Sequence, residues 1–434
     1  MATFHIHTFG CKVNQCDSQI IRETLASWNF AEADADAADL IVINTCTVTN
    51  TADSKFRKAL RKARRENPRA AIVVTGCFAT KPGASHEDVP QADLLFGTRD
   101  LGSLTQFLLR KGLADSGVPE EAHAQSYFAE HTRAFLKIQD GCDCFCAYCI
   151  VPIVRPQLWS EEPDTVIAVI NDLSRRGYRE VVLTGIHLGF YRRDAESGAL
   201  AHLLRRIEDE CDIERVRLSS IEINEISDEL LSIVADSERF CHHLHLPLQS
   251  GDDEILVAMG RRYSRDFFIN RVEEIRDKIP DIGISTDVIV GFPGETHEQF
   301  EHTVDIVENV RFVKTHVFRF SSRPGTRAAE MDAQVPAREV SSRARHMIEV
   351  AGDAAGRFKE RFKGAIVSVL PETFDSRNNT CTGLSSNYIR IKILDASMDC
   401  LNTIVPVELT RAGTRKGAAT GKLITEKQGG LENV

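Results

Sequence analysis

Long apolar runs are missing from this chain of 434 residues. None reaches the roughly 18 residues that a helix needs to cross a bilayer. The first ten residues also lack the charged and apolar regions of a signal peptide, so a cytoplasmic protein is expected. A surplus of positive charge is missing too: 53 Lys and Arg stand against 63 Asp and Glu, a net charge of −10. That excludes a protein that coats nucleic acid and leaves any RNA contact to a local basic patch. Aromatic residues are scarce at 7%, yet 42% of the chain is hydrophobic, enough to build two or three cores. There is no internal repeat, no low-complexity tract and no nucleophile–base pair of the hydrolase kind. Cysteine is not scarce. Twelve cysteines in a reducing compartment do not suggest a disulfide framework, which makes metal binding the first reading to test.

The chain divides by pattern. In residues 1–112, short apolar runs at 4–8, 40–44 and 71–75 alternate with helical segments at 18–28 and 52–65. This alternation predicts a doubly wound parallel sheet. Residues 113–132 read as a linker. Residues 133–362 hold six further strand candidates, at 134–138, 180–184, 215–219, 243–247, 283–290 and 315–320, mostly with helices between them. They predict an open (β/α)6 partial barrel. Residues 364–427 lack a long helix, and strand-like runs at 367–371, 388–393 and 403–409 predict a small antiparallel β-barrel.

Cys142, Cys146 and Cys149 follow the strand candidate at 134–138 and share one loop. Three thiolates can hold three irons of a 4Fe-4S cube, leaving one iron open for chemistry. A zinc site built on the Cys146/Cys149 pair would need a second such pair, and no other Cys-x-x-Cys exists. Cys144 adds a fourth thiol, either a neighbour or a competing ligand. Cys11, Cys46 and Cys77 each stand just past an apolar run. The carboxyl ends of parallel strands share one edge, so these three can meet there. A buried small residue remains the plain alternative for each.

The spacing of Cys142, Cys146 and Cys149, with Tyr148 before the last, resembles the radical-SAM superfamily. Thr8-Phe-Gly-Cys-Lys-Val-Asn-Gln-Cys-Asp-Ser and Asn44-Thr-Cys-Thr-Val-Thr-Asn-Thr-Ala-Asp resemble the N-terminal domain of its methylthiotransferase family. Val182-Leu-Thr-Gly-Ile-His-Leu-Gly, His243-Leu-His-Leu-Pro-Leu-Gln-Ser-Gly and Asp287-Val-Ile-Val-Gly-Phe-Pro-Gly-Glu-Thr match the family's core. The last segment, with Gly383-Leu-Ser-Ser-Asn-Tyr, is similar to the RNA-binding TRAM domain. Departures from the pattern occur at Pro156, Glu161, Ile223 and Arg319, and Cys16 replaces a common tyrosine.

The resemblance implies two 4Fe-4S clusters, one held by Cys142, Cys146 and Cys149 and one by Cys11, Cys46 and Cys77. It implies S-adenosylmethionine as cofactor, with Tyr148, Gly185, His187, Ser220, Glu222, Gln249, Val290 and Gly291 around it. The implied reaction is radical insertion of a methylthio group into tRNA. The stretch after Cys11, together with Cys46-Thr-Val-Thr-Asn-Thr-Ala-Asp, looks most like the MtaB branch, which acts at carbon 2 of threonylcarbamoyladenosine beside the anticodon. The branches acting on isopentenyladenosine or on a ribosomal-protein aspartate are alternatives, and a catalytically inactive iron–sulfur RNA-binding protein is a further one. tRNA and an electron donor such as flavodoxin or ferredoxin are the expected partners; membrane and DNA are not.

A basic run is the candidate for a local RNA contact. Residues 55–65 carry seven Lys or Arg and no acid. Arg57, Lys58, Arg61, Lys62 and Arg65 recur at helical spacing, with Phe56 and Leu60 on the opposite side. They form either a phosphate track or a solvated helix face. Arg319, Arg323 and Arg327 read as a second cluster.

Overall fold

Strand β1 (Thr3–Thr8) leads into helix α1 (Lys12–Ser27), and short β2 (Ala31–Glu32) is followed by β3 (Leu40–Thr45), α2 (Asn50–Glu66), β4 (Ala71–Gly76), β5 (Leu94–Leu95) and α3 (Leu101–Arg110). The computed structural model describes residues 1–48, 50–98, 100–114, 132–195, 198–413 and 417–424, without the side chains of residues 50 and 51. The strands lie in the order β2-β1-β3-β4-β5, all parallel. β3 and β4 are buried along their whole length, as strands covered on both faces must be. Alternate residues divide between two cores. Leu40, Val42, Ala71 and Val73 pack with Leu25 and Leu104, whereas Ile41, Ile43, Ile72 and Val74 pack with Phe56 and Leu60. The predicted doubly wound sheet is present. Most of the expected linker 113–132 lies outside the described residues.

The central part begins with β6 (Arg133–Lys137). A two-stranded hairpin, β7 (Gln139–Asp140) and β8 (Trp159–Ser160), brackets α4 (Val151–Val154). Next come α5 (Pro163–Arg175), β9 (Glu180–Thr184), α6 (Ala199–Glu210), β10 (Arg215–Leu218), α7 (Asp228–Asp236) and β11 (His243–His245). Then follow α8 (Asp253–Met259), α9 (Arg265–Lys278), β12 (Gly283–Val290), α10 (His297–Val310), β13 (Lys314–Arg319) and α11 (Ala337–Glu360). Parallel pairing gives two sheets, β6-β9-β10 and β11-β12-β13. Single parallel bridges, Val216 to Phe240 and Ser220 to His245, join them across the β10–β11 seam. The six strands therefore form one curved, open surface, with helices outside. α1 lies along the free edge at β6, where Cys16 is fully buried with Sγ 3.6 Å from the Phe135 carbonyl.

The last part is a closed barrel of β14 (Ile366–Asp375), β15 (Thr380–Ser385), β16 (Arg390–Leu394), β17 (Val405–Arg411) and β18 (Ala419–Leu423), in the order β14-β15-β16-β18-β17. The sequence pattern anticipated an antiparallel barrel from three runs. Five strands close it, and the β16–β18 pair is parallel. The strands overlooked, β15 and β18, are rich in Thr and Gly and show no apolar run. This barrel covers the amino-terminal end of the core strands. Arg215 donates to the Ser368 carbonyl at 2.7 Å, and Arg217 donates to the carbonyls of Ser386 and Ser385 at 2.8 and 3.1 Å. The carboxyl ends of the core strands face the other way, toward the N-terminal sheet.

Candidate iron–sulfur and cofactor site

Two cysteine sites are built at strand ends. In the N-terminal sheet, Cys11, Cys46 and Cys77 follow β1, β3 and β4, three adjacent strands. Asn14 on α1 ties the three loops together. Its Nδ2 donates to the Thr45 carbonyl at 2.7 Å and the Phe9 carbonyl at 3.1 Å, and its Oδ1 lies 3.5 Å from Cys11 Sγ and 4.0 Å from Cys77 Sγ. The backbone leaves no room for side chains here. A Cβ on Gly10, which has φ +123°, would meet Cys46 Cβ at 2.8 Å, and one on Gly76 would meet the Thr45 carbonyl at 2.3 Å. Burial pushes the Cys46 thiol up to about 12 and raises that of Cys77 despite Arg155 beside it. Cys11 is exposed. The three predicted ligands are thus gathered at one sheet edge.

The second site is the loop after β7. Gly141 starts it with φ +82°, because a Cβ there would strike the Gln157 carbonyl at 2.2 Å. Phe145, between the cysteines, has φ +48° and is 62% exposed, a strained conformation of the kind found at functional loops. Cys142 Sγ and Cys144 Sγ each lie 3.7 Å from His187 Nδ1. Cys146 receives Arg261 Nη1 at 3.6 Å. Burial pushes the Cys149 thiol up to about 12 and raises that of Cys146 against the pull of Arg261. Half-buried Tyr148 stands between Cys146 and Cys149. Among the described residues, the ligand atoms that meet within 4.8 Å of one another here are those of Cys142, Cys144 and, from the turn after β9, His187.

His187 is held on its other nitrogen by Glu225 at 2.6 Å and stacks on Phe190 with ring centroids 3.8 Å apart. Burial opposes its charge, but Cys144 and Glu225 raise its pKa to about 9. Gly185 donates to Ser219 Oγ at 3.3 Å, and Gln139 Oε1 takes the His187 N–H at 2.8 Å. Ser220 lies on the β10–β11 seam. Glu222 forms a short ion pair with Arg261. Gln249 has φ +63° and bridges to Val288, a second strained backbone at the barrel mouth. Gly291 has φ +76° and is packed against Val340. The Val290 side chain is wholly buried in the layer between sheet and helices, so it does not face the barrel interior. Pro156 is exposed, and the Glu161 carboxylate accepts its neighbour's N–H.

The two sites adjoin. Cys77 packs with Ile150 and Val154, which directly follow the cysteine loop. Arg155 bridges the parts: it donates to Asp17 Oδ2 at 2.5 Å, to Asn14 Oδ1 at 3.3 Å and to both oxygens of Asp140 at 2.9 and 2.8 Å. A cleft of 560 Å³ opens beside it, lined by Thr80, Gly97, Asp100, Asp140, Arg155 and Gln157 among others.

Residues 3–97 match the uncharacterized protein family UPF0004, and residues 136–307 match the radical SAM superfamily. The chain is 36% identical over 429 residues, 95% of each chain, to the threonylcarbamoyladenosine tRNA methylthiotransferase MtaB of Bacillus subtilis. It belongs to the radical-SAM methylthiotransferase family. The tRNA-2-methylthio-N(6)-dimethylallyladenosine synthase of Carboxydothermus hydrogenoformans is 35% identical over 94% of this chain and 96% of its own. The MtaB of Thermotoga maritima is 34% identical over 90% and 91%. In fold, the chain is similar to the radical S-adenosylmethionine methyltransferase TsrM of Kitasatospora setae, with a TM-score of 0.54, 14% identity and coverage of 73% and 72%.

For this methylthiotransferase the basic helix is only partly free. Lys58, Arg61, Lys62 and Arg65 are exposed, and Phe56 and Leu60 are buried as predicted. Arg57 instead turns to the Asp88 carbonyl at 2.7 Å and lies over the Phe78 ring, which removes much of its reach. Arg323, read from sequence as part of a basic cluster, is buried and bound to Asp53 at 2.7 Å. Sequence reasoning overlooked Asn14, Asp17, Lys137, Arg155, Glu225 and Arg261. Asn14 stands three residues after Cys11 and Asp17 three after Asn14, each step the spacing of helix-surface neighbours, and that was the available signal.

Proposed function

We propose that this chain inserts a methylthio group at carbon 2 of threonylcarbamoyladenosine in tRNA. S-adenosylmethionine and 4Fe-4S clusters are its cofactors. The observation that carries the reading is the adjacency of two open cysteine sites, Cys77 packing against Ile150 and Val154 just past Cys149. An inert ring C–H needs a radical generated at one site and a sulfur species waiting within reach at the other.

The donor sets suit such clusters. The N-terminal site offers three cysteines and the core loop three at the cluster spacing plus Cys144, and buried thiols such as Cys46 and Cys149 give up their protons only to a compensating positive centre. Bound at Cys142, Cys146 and Cys149, a cluster and its cofactor supply the 5′-deoxyadenosyl radical. Around them, the residues orient and neutralise. Glu225 fixes the His187 ring, Arg261 offsets the charge of Glu222 and Cys146, and Gln139 positions the main chain of the Gly185–His187 turn. His187 Nδ1 lies equally far, 3.7 Å, from the sulfurs of Cys142 and Cys144.

Exposed Lys58, Arg61, Lys62 and Arg65 and the C-terminal barrel serve the tRNA backbone. We infer a small electron carrier such as flavodoxin or ferredoxin as reductant, and the cytoplasm, where tRNA is modified, as the place of reaction. No helix among the described residues is long and apolar enough to cross a membrane. Mass spectrometry of tRNA nucleosides from a deletion strain tests the reading: 2-methylthio-threonylcarbamoyladenosine disappears and its unthiolated precursor accumulates. Loss of the isopentenyl derivative instead assigns the chain to the other substrate.

A further inference from the structure

Lys12 is the first residue of α1, directly after Cys11. A cation at the first turn opposes the helix dipole. Its surroundings add to that cost. Lys12 lies within electrostatic reach of Arg133 and Arg217, and of His243 and His316, all on the core strands. Glu180, a carboxylate within its reach, is committed to Arg217 at 2.8 Å, with Arg133 and Arg215 at 3.6 and 3.7 Å. Among the described residues, the Lys12 ammonium has no ion pair and no hydrogen bond. A half-buried cation within the field of two guanidinium groups is unfavourable unless an anion joins it.

The wall that Lys12 faces is polar. Residues two apart on a strand share a face. Arg217 on β10, His243 and His245 on β11, Ser285 and Asp287 on β12 and His316 on β13 fall on the face turned away from the helices. The intervening Leu218, Leu244, Ile284 and Val288 lie in the helix-facing core. Ser285 Oγ meets His243 Nε2 and His245 Nδ1, each at 2.9 Å, and His245 Nε2 pairs with Asp287 at 3.3 Å. His243 is buried, stacks on Tyr388 with centroids 4.1 Å apart, and leaves its Nδ1 without a partner. A buried polar atom left unpaired in a polar wall points to a ligand that completes it.

An isopentenyl group on the adenine N6 would leave this wall and Lys12 unsatisfied. A threonylcarbamoyl group carries a carboxylate, a hydroxyl and a urea. We propose that Lys12 is the specificity-determining residue that pairs with the carboxylate of the N6 substituent, against the polar face formed by His243, His245 and His316. The inference rests on threonylcarbamoyladenosine as substrate. It gives one turn of chain two tasks: Cys11 presents a sulfur ligand, and Lys12 presents the counter-charge that sets the base beside it.

The test uses reconstituted full-length enzyme and anticodon stem-loops bearing threonylcarbamoyladenosine, its carboxyl methyl ester, or isopentenyladenosine. Wild type prefers the acid over the ester by about tenfold or more in kcat/KM, as for a charge-assisted hydrogen bond. Lys12→Met, compared at equal iron content, loses that preference, and Lys12→Arg keeps it. Equal rates on acid and ester by the wild type overturn the proposal however the variants fold. So does a Lys12→Met enzyme that still prefers the acid. Wild type that modifies only the isopentenyl RNA refutes the substrate reading itself, an outcome distinct from the other two.

Discussion

Arg155 of the core donates to Asp17 of α1 at 2.5 Å, and both side chains are buried. Around this pair, Asp140 accepts from both Arg155 and Lys137, and Lys137 also forms a short contact with Asp17. Two carboxylates balance two cations in the seam between the N-terminal sheet and the radical-SAM core, beside both cysteine sites.

Removing one charge from this group should therefore loosen the seam. Asp17→Ala leaves Arg155 and Lys137 sharing a single carboxylate, a change that costs about 3–5 kcal/mol when a buried pair is broken. Urea unfolding of the reconstituted protein is expected to show the N-terminal sheet melting ahead of the core. A single cooperative transition at the wild-type midpoint would contradict it.

Glu180 gives a pH dependence. Burial disfavours its carboxylate, but Arg217, Arg133 and Arg215 outweigh that and hold the carboxyl at about 2, below its ordinary 4.5. The folded chain thus binds fewer protons than the unfolded chain between those values. The stabilisation is complete above 4.5 and is lost as pH falls toward 2. Glu180→Gln should remove this acid-limb slope and, by leaving Arg217 buried without its partner, cost about 3–5 kcal/mol at neutral pH. Denaturant melts of both proteins across the acid range check the sign. A variant that loses stability with acid as steeply as wild type would refute it.

How far the sequence spoke depends on distance along the chain. Cys11, Cys46 and Cys77 were legible because each stands at the end of a strand-like run, and parallel strands bring such ends together. The doubly wound sheet and the six core strands followed from the same periodicity. Arg155 was not legible, because its partner Asp17 is 138 residues away and only tertiary packing joins them. β15 and β18 were missed for another reason. Their inward residues, such as Cys381 and Ala419, are small, so no apolar alternation stands out. Within α2 the charge run was plain, but the local capture of Arg57 by Asp88 depends on a loop thirty-one residues on.

The cysteine sites set an iron count. Six thiolates in two open triplets should bind about eight irons per chain, and replacing Cys142, Cys146 and Cys149 by Ala should leave about four. Iron and sulfide analysis after anaerobic reconstitution decides between this and a single-cluster protein, for which the wild type would already stop at about four.

The outer face of α2 sets a salt dependence. Lys58, Arg61 and Lys62 are exposed, and reversing Lys58 and Arg61 to Glu should weaken tRNA binding. Each lost phosphate contact makes the slope of log affinity against log salt shallower by roughly one. If the C-terminal barrel alone grips the tRNA, affinity and slope stay at their wild-type values.

The most direct test of the account is product analysis in vitro. Reconstituted enzyme, S-adenosylmethionine, a sulfur source and a reductant are incubated with an anticodon stem-loop bearing threonylcarbamoyladenosine, and the digested nucleosides are weighed by mass spectrometry. The account predicts a product heavier by one methylthio group in place of the hydrogen at carbon 2, formed together with 5′-deoxyadenosine. Formation of 5′-deoxyadenosine with no methylthio product on that RNA, while isopentenyladenosine RNA is thiolated, would contradict it.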